Sequence, residues 1–307
     1  MSELVALIDL GSNAARFLLT RINEGVGFRI LKEQRVQTRL GSGEPGRLPQ
    51  AAVDSTLHAV HRFLGAVNNG LRPRVVAVAT AAVRDAVNRK RLLDPLRRRE
   101  GVTVRVLSSR QEARLGALAA LSAHRIREGA VADLGGGSLQ VSRVHAGRLI
   151  AFTSLPLGAV RLTRRFLHHD PPTGRELRAL RGEIRDHVLD ALPPAAPGAE
   201  LIGLGGTVQA LARMHLARTS KRRRARHGLR LSQSHVIAIR QRLEAVSLRR
   251  RRRLRGLKAE RADIILAGAV VIEELMILCG YRRMTVSTLG VRDGILLRET
   301  FNGSRTP

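Results

Sequence analysis

Three short glycine-rich turns contain residues whose types and spacing could do chemistry. They are DLGSN at 9–13, DLGGGS at 133–138 and GLGGT at 203–207. Glycine permits backbone conformations that other residues avoid, and its bare N–H groups can cradle phosphate oxygens. One such turn alone is more typical of a tight hairpin. Three of them in one chain, two opened by an acid, favour phosphate binding over coincidence.

The first two turns lie in a repeated pattern. LVALIDLGSNAARFLLTRINEGVGFRILKEQ and GAVADLGGGSLQVSRVHAGRLIAFTSLPLG each predict a strand, a glycine turn, a strand, a second turn and a strand. Asp9 and Asp133 occupy the same place in the two copies, 133 − 9 = 124 positions apart. Helices and strands alternate after each copy. The sequence therefore predicts a duplicated α/β protein with mixed sheets.

Two common nucleotide-binding patterns do not fit these turns. A Rossmann turn opens directly into a helix, whereas FLLTRI and LQVSRV, after the first two turns, predict strands. The Walker A pattern is absent from the chain. We also find no histidine cluster with metal-ligand spacing and no supported Ser-His-Asp or Cys-His arrangement, so the turns remain the main candidate site.

The charge of the chain indicates a polyanionic partner. Among 307 residues, 54 are Lys or Arg and 25 are Asp or Glu, which gives a formal net charge of +29. Such a surplus favours nucleic acid, polyphosphate or charged nucleotides. Only 2% of the residues are aromatic, which disfavours base stacking and hence single-stranded nucleic acid. The basic runs at 221–230 and 248–258 are either solvated charge or a rail that tethers a long polyphosphate.

Several features predict a cytoplasmic protein without a membrane segment. The stretch MSELVALIDLG lacks the basic and apolar regions of a secretion signal. The longest apolar stretch, IILAGAVVIEELMILCGY, contains Glu273 and Glu274, which would be costly at bilayer depth, so we expect a packed helix there. Cys279 is the only cysteine and cannot form an internal disulfide.

Motifs along nearly the whole chain resemble those of one known family, and in the same order. The chain resembles the exopolyphosphatase and guanosine pentaphosphate phosphohydrolase (Ppx/GppA) family, in its short two-domain form, within the actin, Hsp70 and sugar-kinase superfamily. The matching stretches are DLGSNAAR, ATAAVRDAVN at 79–88, LSSRQEARLG at 107–116, DLGGGS, SLPLGAVRLT at 154–163, GLGGT, RADIILAGA at 261–269 and LGVRDG at 289–294.

The resemblance implies a two-lobed actin-like, or ribonuclease H-like, α/β fold with duplicated domains, mixed sheets and an interlobe cleft. We expect an N-terminal phosphate-binding domain over residues 1–124 and a C-terminal actin-like domain over residues 125–307. The last helix could pack back on the first lobe.

The resemblance also assigns roles to individual residues. Glu112 matches the carboxylate that activates the attacking water as a general base, and Arg84 matches an arginine that contacts the terminal phosphates. Asp133 belongs to the catalytic set, and Asp9 and Asp133 are the expected ligands of Mg²⁺ or another divalent cation. The residues expected to line the phosphates are Gly11, Ser12, Asn13, Arg16, Gly135, Gly136, Gly137, Ser138, Gly205, Gly206 and Thr207.

Each of these assignments has a structural alternative that the residue type alone leaves open. Glu112 could be an exposed acid near a helix start, favoured there by the helix dipole. Arg84 could be one solvated arginine among many. Asp9 and Asp133 could cap their own turns by accepting backbone N–H bonds.

The chain departs from the family pattern beside the second turn. Where relatives usually have Thr-Glu after GGGS, this chain has Leu139 and Gln140. Glutamine keeps an acceptor oxygen but loses charge and basicity. Ala14 stands where a serine is common, and Arg164 where an acid is common. We therefore expect phosphate binding to survive these changes better than turnover.

The resemblance and the charge favour one function, the Mg²⁺-assisted release of terminal phosphate from inorganic polyphosphate. Hydrolysis of the 5′ phosphate of pppGpp is the enzymatic alternative. A weakly active or non-catalytic regulator that binds polyphosphate or (p)ppGpp is the alternative from another class. Homodimer formation is left open.

Overall fold

The protein folds into two compact units, each built around its own mixed sheet. In this computed structural model, residues 2–67, 72–219 and 226–302 are described. The first unit comprises the chain up to Leu115 and again from Val291 onward, and the second comprises Gly116–Gly290. The boundary between these compact units, after Leu115, lies earlier in the chain than the expected domain boundary between residues 124 and 125. The expected domain boundary stays a prediction.

The first unit contains five strands in the order β3-β2-β1-β4-β5. Strand β1 is antiparallel to β2 and parallel to β4, so the sheet is mixed. A 3₁₀ turn at Leu40–Ser42 follows β3. The elements are β1 (Ser2–Leu10), β2 (Ala15–Asn23), β3 (Gly27–Val36), α1 (Gln50–Gly65), β4 (Arg74–Ala79), α2 (Ala81–Arg84), α3 (Lys90–Glu100), β5 (Val104–Val106), α4 (Ser109–Ala123), which continues into the second unit, and the last helix, α11 (Val291–Asn302).

Strand β1 is buried on both faces, which explains its unbroken apolar run. Ile8 and its alternate neighbours pack in a core with Phe63 of α1. Leu7 points to the other face and packs in a core with Leu296 of α11. A strand covered on both sides needs apolar residues at every position, and the run from Val5 to Ile8 supplies them.

The second unit contains six strands in the order β10-β11-β9-β6-β7-β8. Strand β6 is antiparallel to β7 and parallel to β9. The elements are β6 (Gly129–Leu134), β7 (Leu139–His145), β8 (Arg148–Leu155), α5 (Ala159–Phe166), α6 (Gly174–Ala191), β9 (Glu200–Leu204), α7 (Gly205–Thr219), β10 (Arg230–Ser232), α8 (Gln233–Glu244), α9 (Leu248–Arg251), a 3₁₀ turn at Ala259–Arg261, α10 (Ile265–Leu278) and β11 (Arg283–Val286).

The predicted repeat is confirmed in the strand pairings. In the first unit β1, β2 and β3 form an antiparallel meander, and β1 is also parallel to β4. In the second unit β6, β7 and β8 form the same meander, and β6 is also parallel to β9. Each glycine turn therefore lies between the first two strands of its meander.

Helix α10 is the packed helix that its sequence predicts. Glu273 and Glu274 are 4% and 0% exposed, and arginines from α6 and α8 neutralise both carboxylates. Arg181 binds both carboxylates, Arg185 donates to Glu274 at 2.9 Å, and Arg240 donates to Glu273 at 2.7 Å. Burial of a carboxylate is tolerated when it is paired and hydrogen-bonded in this way. Within the described ranges, no helix is long and apolar enough to span a membrane.

The basic run at 248–258 is not a uniformly solvated surface. Residues 221–225 of the first run lie outside the described residues. In the second run Arg251 is only 3% exposed. Its guanidinium donates to the carbonyl oxygens of Leu243, Val246 and Ala262 at 3.1, 3.1 and 3.4 Å. Arg251 therefore ties three backbone segments together and is neither solvated nor part of a rail.

We predict that Arg251→Met destabilises the second unit while its neighbours tolerate the same change. Methionine fills the volume but leaves three buried carbonyl oxygens without their donor, at a cost of about 3 kcal/mol in unfolding free energy. The matched control is Arg252→Met, because Arg252 is exposed, and its effect should stay within about 0.5 kcal/mol. Urea unfolding of both variants measures the difference. Equal midpoints for the two variants would contradict the structural role of Arg251.

Candidate functional site

The second glycine turn presents a row of backbone N–H groups. It joins β6 to β7 and closes with a hydrogen bond from the Gly135 N–H to the Ser138 carbonyl at 3.0 Å. The amides of Gly136, Gly137 and Ser138 make no hydrogen bond within the part of the chain that the structure describes. Consecutive amides that lack an internal acceptor form a concavity that suits an anion.

The carbonyl oxygens of the same turn are bound from behind by α5. Ala159 donates to Gly135 at 3.1 Å, and Val160 and Arg161 donate to Gly136 at 2.9 and 3.1 Å. The N-terminal amides of the helix thus bind the acceptors of the turn, and the donors of the turn remain for a ligand. This division of hydrogen bonds explains how a partly buried turn can present donors only.

Gly158 permits this close approach between α5 and the turn. A Cβ atom at position 158 would lie 2.2 Å from the carbonyl carbon of Gly137 and 2.3 Å from the carbonyl oxygen of Gly136. The backbone angles of Gly158, φ −71° and ψ 145°, are ordinary for any residue. The requirement for glycine is therefore one of space and not of backbone conformation.

The first turn repeats the hydrogen bonding of the second. The Gly11 N–H bonds to the Ala14 carbonyl at 3.2 Å, which matches the bond between Gly135 and Ser138. The amides of Ser12, Asn13 and Ala14 make no hydrogen bond to described residues. The duplicated sequence therefore builds two turns of the same kind, one in each unit, and each has three consecutive N–H groups without an acceptor among the described residues.

Gln140 contacts the second turn directly. Its Nε2 donates to Ser138 Oγ at 2.7 Å, and the two residues are 2% and 6% exposed. Because the hydroxyl oxygen accepts this bond, its proton is left to donate to a phosphate oxygen. Gln140 also lies directly opposite Asp133 in the pairing of β6 with β7. Glutamine at this position places an amide, and not a second carboxylate, beside Asp133.

The third turn lies against the second within the same unit. Gly205 has φ +88°, which glycine adopts readily, and a Cβ there would lie 2.4 Å from the Leu134 carbonyl oxygen and 2.9 Å from Asp133 Oδ1. Gly205 also begins α7, so the first amides of a 15-residue helix face this region. The Thr207 side chain is fully buried beside Gly268, so only its backbone can serve a phosphate.

Two arginines that the sequence analysis did not select lie at these turns. The guanidinium of Arg261 covers Gly206, since a Cβ on that glycine would lie 2.3 Å from Arg261 Nη1. Arg161 Nε donates to the Gly137 carbonyl at 2.9 Å. Both residues belong to stretches that carry the family resemblance, but a chain rich in arginine gives no further signal to single them out.

In the first unit the structure joins Arg84 and Glu112. Arg84 ends α2, and Glu112 lies in the first turn of α4. Arg84 Nη1 donates to Glu112 Oε2 at 2.9 Å and to the Leu107 carbonyl at 3.1 Å, while Nη2 takes no part in these contacts. Glu112 is 8% exposed, so it is not the exposed helix-start acid that was the alternative. Arg84 is likewise held by neighbours and is not a freely solvated arginine.

Asp9 has two arginine neighbours in the first unit. Arg16 lies opposite Asp9 in the pairing of β1 with β2, and Arg292 Nε lies 3.9 Å from Asp9 Oδ2. Burial raises the pKa of Asp9, and the two guanidinium groups act in the opposite direction. Burial and the nearby Arg292 lower the pKa of Arg16 to about 10. Positive neighbours reduce the attraction of Asp9 for a divalent cation.

Asp133 is the expected metal ligand that lies at the second and third turns. The described residues contain no group of three or more His, Cys, Asp or Glu side chains that could hold a metal ion. Mg²⁺ often binds to one or two carboxylates and takes its remaining ligands from substrate phosphates and water. One carboxylate beside the second and third turns of the same unit fits that mode.

Comparison with known proteins finds relatives that match over most of the chain. A family model described as Ppx/GppA phosphatase family matches residues 18–302. Exopolyphosphatase 2 of Mycobacterium tuberculosis is 32% identical over 315 residues, which cover 95% of this chain and 97% of the relative. Exopolyphosphatase 1 of Mycobacterium bovis is 30% identical and covers 96% of this chain and 88% of the relative.

Solved structures show the same fold. The crystal structure of the Aquifex aeolicus member of the Ppx/GppA protein family has a TM-score of 0.82 and 28% identity, with both chains fully covered. A Cytophaga hutchinsonii exopolyphosphatase has a TM-score of 0.86, 24% identity and coverage of 97% and 98%, which bears on the fold alone. The expected α/β fold class is confirmed, and the chain belongs to the Ppx/GppA phosphatase family, whose members are phosphohydrolases.

Proposed function

We propose that this phosphohydrolase releases the terminal phosphate of inorganic polyphosphate by attack of water, assisted by Mg²⁺. The observation that carries the proposal is the second turn, where the Gly136, Gly137 and Ser138 amides lack internal acceptors. Such a turn suits repeated phosphate oxygens, and the net charge of +29 favours a long polyanion. The curated relatives described above bear the name exopolyphosphatase, which supports this substrate class.

In this proposal, backbone N–H groups and arginine side chains bind the polyphosphate. The amides of the turns and the Ser138 hydroxyl donate to phosphate oxygens, and Arg261 adds positive charge beside the third turn. Mg²⁺ bound to Asp133 together with phosphate oxygens and water would supply further positive charge. In this proposal the main role of Asp9 is to orient its neighbours Arg16 and Arg292, and not to bind a metal.

The hydrolytic step is assigned to Glu112. Its carboxylate accepts a proton from water while the water oxygen forms a bond to the terminal phosphorus. The bridging P–O bond breaks, and the shortened chain leaves with the bonding electrons as a phosphate oxyanion. Arg84 fixes the Glu112 carboxylate through Nη1, and its remaining Nη2 group can donate to the transferred phosphate.

We predict that Glu112→Gln lowers the rate of phosphate release from long-chain polyphosphate by at least about 100-fold, because the amide cannot accept the proton. Binding of polyphosphate should change little, since Glu112 is not a donor to phosphate. The matched control is Glu44→Gln, which removes the same charge at an exposed position of the same unit and should leave the rate unchanged. Full activity in Glu112→Gln would refute its assignment as the base.

Gln140 favours one alternative, a protein that binds polyphosphate or (p)ppGpp without hydrolysing it. In that case the unchanged chain would bind polyphosphate in a salt-sensitive manner and release no phosphate, and Gln140→Glu would restore release.

For the hydrolase, we predict instead that Gln140→Glu mainly lowers the Mg²⁺ concentration needed for half-maximal rate, because a second carboxylate then lies opposite Asp133. Competition between pppGpp and polyphosphate for the same chain identifies the preferred substrate.

We predict that Gly158→Ala disables the second turn by displacing its backbone. The added methyl group would overlap Gly136 and Gly137, so polyphosphate binding should weaken by at least about tenfold. The matched control is Gly182→Ala in α6, where a Cβ meets open space and the change should stabilise the helix by up to about 1 kcal/mol. Isothermal titration of both variants with polyphosphate is the measurement, and equal affinities would contradict the role of Gly158.

A further inference from the structure

A cavity of about 180 Å³ lies in the second unit at the opposite end of the sheet from the phosphate turns. Gly129 lines the cavity at the start of β6, and the same strand ends beside the second turn. His145, at the end of β7, also lines it. The cavity is therefore separated from the phosphate turns by the length of these strands.

The inner wall of the cavity is apolar. Val141, Leu201, Leu275 and Cys279 line it, and each is at most 4% exposed in the folded chain. An apolar cavity of about 150 Å³ is large enough to bind benzene. The present cavity therefore has room for an aromatic ring or a branched aliphatic group.

Tyr281 brings an unused donor to this cavity. The residue is 9% exposed and lines the cavity, and its hydroxyl makes no hydrogen bond to any described residue. Burial raises the pKa of the Tyr281 phenol to about 12, so the phenol stays protonated near neutral pH. The hydroxyl oxygen keeps some accessible surface, so it can donate to the acceptor of a ligand in the cavity.

The charged groups at the rim favour an anion over a cation. Arg143 lines the cavity, makes no ion pair or hydrogen bond within the described residues, and lies close enough to Tyr281 to act on its phenol. The one carboxylate at the rim, Glu128, is already bound by His145 Nδ1 at 3.1 Å and by the Ala146 N–H at 3.0 Å. The Arg143 guanidinium is therefore the charged group at the rim that can bind a ligand.

We propose that this cavity binds a small carboxylic acid with an apolar body of about six to ten non-hydrogen atoms. The carboxylate would accept from the Arg143 guanidinium and the Tyr281 hydroxyl, and the apolar body would lie against Leu201, Leu275 and Cys279. This site is independent of the proposed polyphosphate hydrolysis, since it shares no residue with the turns.

Titration of the full chain with benzoate tests the proposal, with benzamide as the neutral probe of the same shape. We expect benzoate to bind at least about tenfold more tightly than benzamide, because only benzoate can pair with Arg143. Arg143→Gln should lower benzoate affinity by about tenfold or more. Arg148→Gln, which removes an exposed arginine of β8 outside the cavity, should leave it unchanged.

Alkylation of the only cysteine reports where benzoate binds. Cys279 lines the cavity, and burial raises the pKa of its thiol to about 11, so its reaction with iodoacetamide is slow. Benzoate in the cavity should slow this reaction several-fold further, as measured by intact mass. Binding without such protection would place benzoate elsewhere, for example on the basic turns, and would overturn the proposal. Equal affinities for benzoate and benzamide, no binding of benzoate at millimolar concentration, or equal effects of the two arginine variants would also overturn it.

Discussion

The contact between α5 and the second turn is the constraint on which the proposed phosphate site of the second unit depends. A partly buried turn must satisfy its backbone groups, yet a turn that binds anions must keep its N–H groups free. The first amides of α5 resolve this conflict because they bind the carbonyl oxygens of Gly135 and Gly136. The helix can come this close only because position 158 has no side chain. The preorganised donors of the turn are therefore a consequence of helix packing as much as of its own glycines.

Arginine is used in this chain as a structural residue as well as a source of surface charge. Arg251 binds three backbone carbonyls, and Arg181 and Arg240 neutralise carboxylates buried in α10. A planar guanidinium with several donors suits such sites, where a lysine would satisfy fewer acceptors. The net charge of +29 therefore overstates how much positive charge is free to attract a polyanion.

Much of the fold could be predicted because it follows from strand patterning and from the repeat. The two meanders and their turns were visible as matching alternations around Asp9 and Asp133. The pairing of Arg84 with Glu112 was not deducible from the residues, since the two lie on separate helices that only the fold brings together. The resemblance named both residues but not their contact.

Other features left no signal in the sequence. Gly158 has ordinary backbone angles, so nothing local distinguishes it from a replaceable residue, and its requirement appears only when α5 is packed on the turn. Arg261 and Arg251 could not be separated from some fifty other basic residues by type alone. The Tyr281 hydroxyl makes no hydrogen bond to a described residue because of how side chains pack at this end of the sheet, and the sequence alone does not show this.

The replacement of an acid by Gln140 changes the electrostatics of the second turn in two opposing ways. Two carboxylates opposite each other on β6 and β7 would attract a divalent cation strongly but would also repel the phosphate anion and each other. With glutamine, an amide and not a second carboxylate lies opposite Asp133, the Ser138 hydroxyl accepts a hydrogen bond from that amide, and the turn carries less negative charge. In the proposed hydrolase, glutamine at position 140 would therefore weaken Mg²⁺ binding and strengthen the attraction for polyphosphate. The rate of the proposed hydrolysis would then depend on how much negative charge Asp133 and the bound phosphates supply to the metal.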